Sequence, residues 1–263
     1  MDLFIKNESR LLFEQICSFL IFYNIKILSK GGKMQFKDQI KAIIFDMDGT
    51  IIESEDIWNK AIRKVLSDNN VFLAGQDEEL LFNKMIGRNL DICFKDLKDA
   101  FKIDKHFLEL VEDCKRLSAM EFSKGVSFIK GFEPFHLKLQ QNNIPSCIAT
   151  NCDLETLEKI NQSMNLSKFF GDKIFAAAHV SKPKPDPALF LHSAKQLNVL
   201  PEECIIFEDS LFGFQAAKAA GMKCIAIKND KNIDLLHHAD GVIEHYDFAT
   251  EILNGIAKNL KSK

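Results

Sequence analysis

The sequence predicts an α/β protein: a doubly wound, mostly parallel sheet with a helical segment inserted after the first strand. Short apolar runs rich in β-branched residues alternate along the chain with longer segments whose apolar residues recur at helical spacing. This alternation favours parallel strands with helices on both faces of the sheet. Between residues 53 and 122 the strand pattern stops and only helical periodicity remains. In sheets of this class the active site lies at the carboxyl ends of the strands.

Short apolar runs predict six strands, and segments of helical spacing between the later strands predict four helices. The predicted strands are residues 40–45, 144–149, 173–175, 204–207, 223–227 and 241–243. The predicted helices are residues 134–141, 154–164, 187–197 and 213–220. Pro187 suits the first turn of its helix, where the N–H that proline lacks is not needed.

The segment 53–122 reads as four amphipathic helices. They are predicted at residues 57–66, 78–85, 90–101 and 106–120. We therefore expect residues 34–52 plus 123–263 to form a core and residues 53–122 a helical domain. Both linkers return the chain to the carboxyl edge of the sheet, which favours a domain that covers the site. A separate helical domain without a catalytic role is the alternative.

Residues 1–33 form an N-terminal extension that lacks the strand–helix pattern. Residues 11–28 are apolar on most sides, but Glu14 and Lys26 interrupt the roughly 20 apolar residues that a membrane helix needs. No small-x-small cleavage site follows, which argues against a signal peptide. An amphipathic docking helix is one interpretation. The other is that translation starts at Met34, because residues 30–33 can be encoded by a purine-rich ribosome-binding sequence.

Composition points to small-molecule partners. The 34 basic and 37 acidic residues are spread along the chain, so charge gives no reason to expect binding to nucleic acid or to a membrane. Seven cysteines form no C-x-x-C pair, and Cys147, Cys204 and Cys224 lie in or beside apolar strands. This pattern predicts reduced, buried thiols in a cytoplasmic protein. We also expect a monomer.

The first predicted strand ends in the sequence IIFDMDGT, which places Asp46 and Asp48 two positions apart. In a regular strand both carboxylates would point to the same face and repel each other. Gly49 allows the chain to leave the sheet at this point. Two close carboxylates are favourable if a divalent cation lies between them, or if one is a nucleophile and the other an acid/base. Both arrangements indicate enzyme chemistry.

The string D-x-D-G-T after an apolar strand resembles the first motif of the haloacid dehalogenase superfamily of phosphatases and phosphotransferases, which has a Rossmann-like core. Three further motifs of that superfamily follow in the expected order. They are CIATN at residues 147–151, KPDPALF at residues 184–190 and IIFEDS at residues 205–210. The resemblance extends from about residue 40 to residue 243. The inserted helices resemble the type 1 cap of this superfamily, which closes over the site and contacts the substrate.

The resemblance implies a phosphatase with Mg²⁺ as cofactor and Asp46 as the nucleophile that forms an aspartyl-phosphate. Asp48 would bind the metal through its backbone carbonyl, while its side chain protonates the leaving oxygen and then activates water. Thr150 and the backbone amide of Asn151 would hold the phosphoryl oxygens. Lys184 would neutralise charge on the nucleophile and the phosphate.

Asp209 would complete the metal site, and Glu208 is either a further metal ligand or an acid behind the ligands. A set of oxygen ligands suits Mg²⁺ better than zinc. Lys182 also precedes a proline, but only Lys184 has an aromatic residue, Phe190, in the register of the motif. Lys182 is therefore predicted to be a solvated loop lysine.

Gly87 and Arg88 occupy the place where related caps carry a glycine-containing substrate loop, so both are predicted to bind substrate. Arg88 would bind a second anionic group of the substrate. A solvent-exposed arginine at the start of a helix is the alternative. Relatives often have D-S-E after the first motif, whereas this chain has E-S-E, so Glu53 is expected to act only at the hinge.

The favoured function is hydrolysis of a small phosphorylated metabolite of the sugar phosphate, phosphogluconate or phosphoglycolate type. A phosphomutase resembling β-phosphoglucomutase is the alternative, although Gly87-Arg88-Asn89 does not reproduce its typical cap loop. Dehalogenation is disfavoured because it needs neither an acid at position 48 nor a metal. A non-catalytic binding module is disfavoured because every catalytic position of the motifs is present.

We predict that a protein beginning at Met34 is as soluble and active as the full chain, because no motif or predicted strand precedes it. Mass spectrometry of the cellular protein should identify Met34 or Gln35 as its first residue. Detection of peptides from residues 2–33 in the cellular protein would contradict a start at Met34.

Overall fold

Six parallel strands form one sheet in the part of the chain that the computed structural model describes, residues 34–36 and 38–261. They are β1 (Ala42–Phe45), β2 (Ser146–Thr150), β3 (Ile174–Ala176), β4 (Cys204–Glu208), β5 (Lys223–Ile227) and β6 (Gly241–Ile243). The order β3-β2-β1-β4-β5-β6 places β1 in the interior of the sheet. All six predicted strands are present with small shifts at their ends. The predicted extension, residues 1–33, lies outside the described residues, as do both interpretations of it.

The described residues also form ten α-helices. They are α1 (Glu55–Asp68), α2 (Gln76–Met85), α3 (Leu90–Phe101), α4 (Phe107–Phe122), α5 (Phe132–Gln141), α6 (Leu154–Met164), α7 (Ser167–Phe170), α8 (Ala188–Gln196), α9 (Leu211–Ala219) and α10 (Ala249–Lys261). The eight predicted helices are α1 to α6, α8 and α9. Helix α8 begins one residue after Pro187, which flanks the helix and does not form its first turn. Helices α7 and α10 were not predicted.

The two faces of the sheet are both buried, as a doubly wound sheet requires. Ile43 and Phe45 of β1 belong to one apolar cluster, whereas Ala42 and Ile44 belong to the cluster on the opposite face. This division follows from the alternation of side chains along a strand. Residues of α5, α6 and α10 cover the first face, and residues of α8 and α9 cover the second. The predicted fold class is confirmed.

Phe45, at the end of β1, lies inside a group of aromatic rings. Five ring centroids lie between 5.4 and 6.3 Å from the centroid of Phe45. These rings belong to Phe132, Phe135, Phe170, Phe207 and Tyr246. The Tyr246 hydroxyl donates a hydrogen bond of 3.0 Å to the carbonyl of Thr50, in the turn after β1. The aromatic group therefore fixes the strand end that precedes Asp46.

Helices α1 to α4 lie between β1 and β2 in the chain and share an apolar cluster of their own, which includes Val65, Phe94 and Leu110. The two linkers run side by side. The amide of Glu53 donates to the carbonyl of Ser127 at 2.9 Å, and nearby backbone groups continue the contact. The chain therefore enters and leaves the inserted helices at the same place. The domain boundaries expected at residues 53 and 122 stay predictions.

The described cysteines are free thiols, and all except Cys152 are buried. Cys147, Cys204 and Cys224 lie within strands, where the sequence predicted small buried residues. Burial raises the pKa of the Cys204 thiol to about 12, so this thiol stays protonated at neutral pH. Among the helices of the described chain, none has the length and apolar character needed to cross a membrane.

We predict that Phe45→Ala lowers the free energy of unfolding by about 3–5 kcal/mol, because it leaves a cavity among the surrounding rings. Phe72→Ala is the control for the same chemical change, since Phe72 is 76% exposed. The control should change stability by no more than about 0.5 kcal/mol. Urea denaturation of both variants measures the difference. Equal effects of the two substitutions would show that the aromatic group does not support β1.

Candidate active site

Asp46, Glu208 and Asp209 lie together at the carboxyl edge of the central strands. Strands β1 and β4 pair in parallel with Phe45 opposite Phe207, so the residues that follow are neighbours. One carboxylate oxygen from each acid lies within 4.8 Å of the others. All three side chains are buried. The register of one strand pair thus brings the first and fourth motifs together.

Lys184 joins this cluster from the loop before α8. Its Nζ lies 2.6 Å from Asp46 Oδ1 and 2.7 Å from Glu208 Oε1, and the residue is 4% exposed. Burial alone would lower the pKa of Lys184, but the charges of Asp46 and Glu208 outweigh it and raise the pKa above its ordinary value. The ammonium group therefore stays charged. The side chain of Lys182 is 72% exposed and lies outside this cluster.

Both oxygens of Glu208 are engaged within the protein. Oε1 accepts from Lys184, and Oε2 accepts from the amides of Asp209 and Ser210 at 2.8 and 2.7 Å. The hydroxyl of Ser210 donates to the same oxygen at 2.9 Å. A Cβ at Gly213, in the first turn of α9, would lie 1.8 Å from Glu208 Cδ, so this position requires glycine. Glu208 is thus held rigidly, with one oxygen directed at the lysine.

Asp48 lies in the turn that leaves the sheet, as predicted. Gly49 has a φ of +73°, and a Cβ there would lie 2.2 Å from Asp209 Oδ2. The carboxylate of Asp48 is separate from the cluster, because its Oδ1 accepts from Ser54 Oγ at 2.6 Å and from Trp58 Nε1 at 2.7 Å. Burial raises the pKa of Asp48, although these hydrogen bonds act in the opposite direction.

Ser54 and Trp58 were not predicted as site residues. The ring of Trp58 packs edge-on against Phe122, at a centroid distance of 5.6 Å, and its indole N–H donates to Asp48. The two residues lie four apart at the start of α1, on one face of the helix. That spacing shows only that two hydrogen-bond donors share a helix face; it does not show that this face is turned towards Asp48.

The charges of the cluster suit a divalent cation. Burial raises the pKa of Asp46 to about 7, although the positive charge of Lys184 acts in the opposite direction. Burial and then the charge of Glu208 raise the pKa of Asp209 well above its ordinary range. Buried carboxylates in excess of their cations are costly unless a further cation neutralises them. Carboxylate oxygens are also the donors that Mg²⁺ prefers.

A cavity of about 170 Å³ lies beside the cluster, between the sheet edge and the inserted helices. Asp46, Thr150, Asn151 and Asp209 line it from the sheet, whereas Trp58, Gly87, Arg88 and Lys115 line it from the inserted helices. The hydroxyl oxygen of Thr150 accepts from the amide of Cys152 at 3.0 Å. The nine predicted site residues therefore all lie in the cluster around Lys184, in the turn that follows β1 or on this cavity wall.

Arg88 lies on the cavity wall but is already engaged. Its guanidinium donates to Asp96 Oδ2 at 2.6 Å, and its Cζ lies 6.0 Å from the ring centroid of Phe212. To bind a second anionic group of a substrate, Arg88 would have to leave Asp96. Gly87 contributes its carbonyl, which accepts from Asn151 Nδ2 at 2.8 Å.

Comparison with known proteins identifies a matching family of hydrolases and relatives that are named as phosphatases. A family model described as haloacid dehalogenase-like hydrolase matches residues 43–227. The 6-phosphogluconate phosphatase of Escherichia coli is 27% identical over 186 residues, which cover 70% of this chain and 81% of that protein. The fructose-1-phosphate phosphatase YqaB of the same organism is 28% identical over 197 residues, which cover 73% of this chain and 98% of that protein.

A solved structure has the same fold. A hydrolase from Entamoeba histolytica, described as a HAD hydrolase of family IA, variant 3, superposes with a TM-score of 0.73. The alignment covers 83% of this chain and 100% of that chain, at 23% identity.

We predict that millimolar Mg²⁺ raises the melting temperature of the wild type and that Asp209→Asn removes most of this rise, because the substitution removes a carboxylate that could bind the ion. In EDTA the variant should melt at or above the wild-type temperature, since one member of a crowded cluster of buried carboxylates is removed. Asp172→Asn is the control, because the Asp172 side chain is 87% exposed. Differential scanning fluorimetry measures both effects. An equal Mg²⁺ response in Asp209→Asn and the wild type would place the metal elsewhere.

Proposed function

This chain belongs to the haloacid dehalogenase-like hydrolase family, and from that premise we propose that it is a Mg²⁺-dependent phosphatase acting on a small phosphorylated metabolite. The observation that carries the proposal is the buried pair of Asp46 and Lys184, with 2.6 Å between Oδ1 and Nζ, beside a cavity. A carboxylate held next to a fixed cation suits attack on an anionic ester. The names of the two bacterial relatives support a sugar phosphate or phosphogluconate as the substrate class.

In the proposed first step, a carboxylate oxygen of Asp46 attacks phosphorus and the bond to the leaving oxygen breaks. Repulsion between a carboxylate and the ester is about 4 kcal/mol per charge pair at 4 Å and an effective dielectric near 20. Lys184 offsets part of this repulsion. Asp48 gives its proton to the leaving oxygen, and its raised pKa favours the protonated form that this role needs.

In the proposed second step, water attacks the phosphorus of the aspartyl-phosphate. Asp48, now a carboxylate, takes a proton from that water, and the bond between phosphorus and Asp46 breaks to release phosphate. Asp48 is thereby returned to its protonated state. Ser54 and Trp58 orient its side chain, so the acid/base group depends on the position of α1.

Thr150 and Asn151 are proposed to hold the phosphoryl oxygens. The Thr150 oxygen accepts from the amide of Cys152, so its O–H remains available to donate to an anionic oxygen. The Asn151 backbone amide follows at the same strand end. Hydrogen-bond donors fixed in this way stabilise the charge that develops on the phosphoryl group.

The side chains of Asp46 and Asp209 and the backbone carbonyl of Asp48 would hold Mg²⁺. Glu208 is a further candidate ligand, although its Oε1 would then be shared with Lys184. When bound, the ion would offset negative charge on the phosphoryl group and on the attacking carboxylate. The excess of buried carboxylates supports this fit.

Residues 53–122 are proposed to act as a cap that contacts the leaving group, with Gly87 and Arg88 on its substrate-facing loop. Both residues line the cavity, which supports this proposal. We further propose a cytoplasmic monomer that acts on small molecules and binds neither nucleic acid nor membrane. The net charge of −3 and the buried free cysteines support this assignment.

We predict that Asp46→Asn abolishes phosphate release from a panel of phosphorylated metabolites while the fold is retained. The substitution is nearly isosteric but removes the nucleophile. Phosphate release with and without Mg²⁺ tests the proposal, and the wild type should depend on the metal. The role of Asp46 would be refuted by residual turnover above roughly a tenth of the wild-type rate, since loss of a nucleophile is expected to cost far more.

We predict that Lys184→Met lowers kcat by about 10²–10³-fold, because a fixed charge that stabilises the transition state is lost. Lys182→Met is the matched control and should retain wild-type activity, since its exposed side chain lies outside the cluster. Circular dichroism should first establish that both variants fold. If the two variants had the same kcat, the choice of Lys184 would be wrong.

A further inference from the structure

The side chain of Asn151 joins three parts of the active site. Its Nδ2 donates to the carbonyl of Gly87 at 2.8 Å and to the carbonyl of Lys184 at 3.0 Å. Its Oδ1 accepts from the amide of Lys184 at 2.9 Å. Asn151 is 7% exposed, so these bonds form away from solvent. One amide thus connects the end of β2, the backbone of the buried lysine and a loop of the inserted helices.

The loop that carries Gly87, residues 86–89 between α2 and α3, fits closely against the sheet edge. Gly87 has a φ of +74°, and a Cβ there would lie 2.4 Å from Ser210 Oγ and 2.6 Å from Ser210 Cβ. The same Ser210 hydroxyl donates to Glu208, whose other oxygen holds Lys184. The 86–89 loop therefore contacts Asn151, which bonds directly to the Lys184 backbone, and Ser210, which is connected to Lys184 through Glu208.

We propose that Asn151 is a positioning residue that couples the seating of the 86–89 loop to the placement of Lys184. When the loop lies against the sheet edge, the carbonyl of Gly87 accepts from Asn151 Nδ2 and fixes the orientation of the amide. In that orientation Nδ2 also donates to the carbonyl of Lys184, and Oδ1 accepts from the amide of Lys184. When the loop leaves, the carbonyl of Gly87 is withdrawn and the amide loses one of its restraints. The lysine would then be fully placed only when the inserted helices cover the cavity.

Coupling of this kind acts in both directions, because linkage between two positions is reciprocal. A change confined to the loop should increase the mobility of the Lys184 backbone. Deletion of the Asn151 amide should increase the mobility of the loop. The catalytic consequence rests on the proposed function, in which Lys184 supports phosphoryl transfer. The structural coupling itself can be measured without turnover.

Two variants test the coupling from opposite sides. Gly87→Ala adds a methyl group against Ser210 and displaces the loop while Asn151 stays intact. Asn151→Ala removes the bridging amide while Gly87 stays intact. Asn142→Ala is the control, because the Asn142 side chain makes a comparable bond of 2.8 Å to the carbonyl of Lys138 in α5, a bond that contacts neither Lys184 nor the 86–89 loop.

Hydrogen–deuterium exchange, measured in Mg²⁺ and inorganic phosphate, provides the decisive readout. Gly87→Ala should speed exchange in the peptide that contains Lys184 by about tenfold or more, as expected when a buried amide opens. Asn151→Ala should speed exchange in the peptide that covers residues 86–89. Asn142→Ala should leave both peptides as in the wild type. Because each variant reports on a different peptide, one that fails to fold leaves the other to decide.

Kinetics add a readout that a merely structural role would not produce. Asn151→Ala should lower kcat by about tenfold or more with little change in KM, because misplacement of Lys184 affects the transition state more than substrate binding. Gly87→Ala should lower kcat as well, and it should also raise KM because it displaces the substrate-facing loop. The proposal is overturned if loop and lysine peptides exchange independently of each other, or if kcat is unchanged. A wild type that releases phosphate from no metabolite would instead refute the proposed function, and the exchange data would still decide the coupling.

Discussion

The site depends on an imbalance of charge at the carboxyl edge of the sheet, where several buried carboxylates surround the ammonium group of Lys184. Burial raises the pKa of Asp46 to about 7, so its charged form is disfavoured until further positive charge arrives. Because metal ligands must be deprotonated, a divalent cation would bind there with release of protons. The same excess of carboxylates that disfavours the metal-free site would favour a divalent cation, and the bound cation would in turn favour an anionic ester.

The fold maintains this arrangement through strand register. Parallel pairing of β1 with β4 places Asp46 beside Glu208, and the aromatic rings around Phe45 keep the end of β1 from shifting. Glu208 then directs one oxygen at Lys184, while Gly213 leaves room for its carboxylate. A sheet whose two faces are both buried tolerates little slippage, because a shift of one residue would exchange the faces of every side chain. The stability of the core is thereby linked to the geometry of the site.

Most of the fold could be predicted because strand ends and motifs are local in sequence. The apolar run before Asp46 and the one before Glu208 each specify a strand without reference to the other. Helix α10 was missed although its apolar residues, among them Ile252, Leu253 and Ile256, recur at helical spacing. Only the low helix propensity of Gly255 argued against it. The bonds from Ser54 and Trp58 to Asp48, and from Asn151 to Gly87, could not be predicted. They depend on how the inserted helices are oriented against the sheet, which hydrophobic periodicity does not determine.

If Asp46 accepts the phosphoryl group, peptide mapping of the trapped enzyme should find the label there. Asp48→Asn is incubated with Mg²⁺ and a ³²P-labelled aryl phosphate, whose leaving oxygen departs without a proton from Asp48, but the variant lacks the base that activates water to release the phosphate. After an acid quench and proteolysis, we predict an acid-stable, base-labile label on the peptide that contains Asp46. The double variant with Asp46→Asn should carry none. Label on another peptide, or its retention in the double variant, would show that Asp46 does not accept the phosphoryl group.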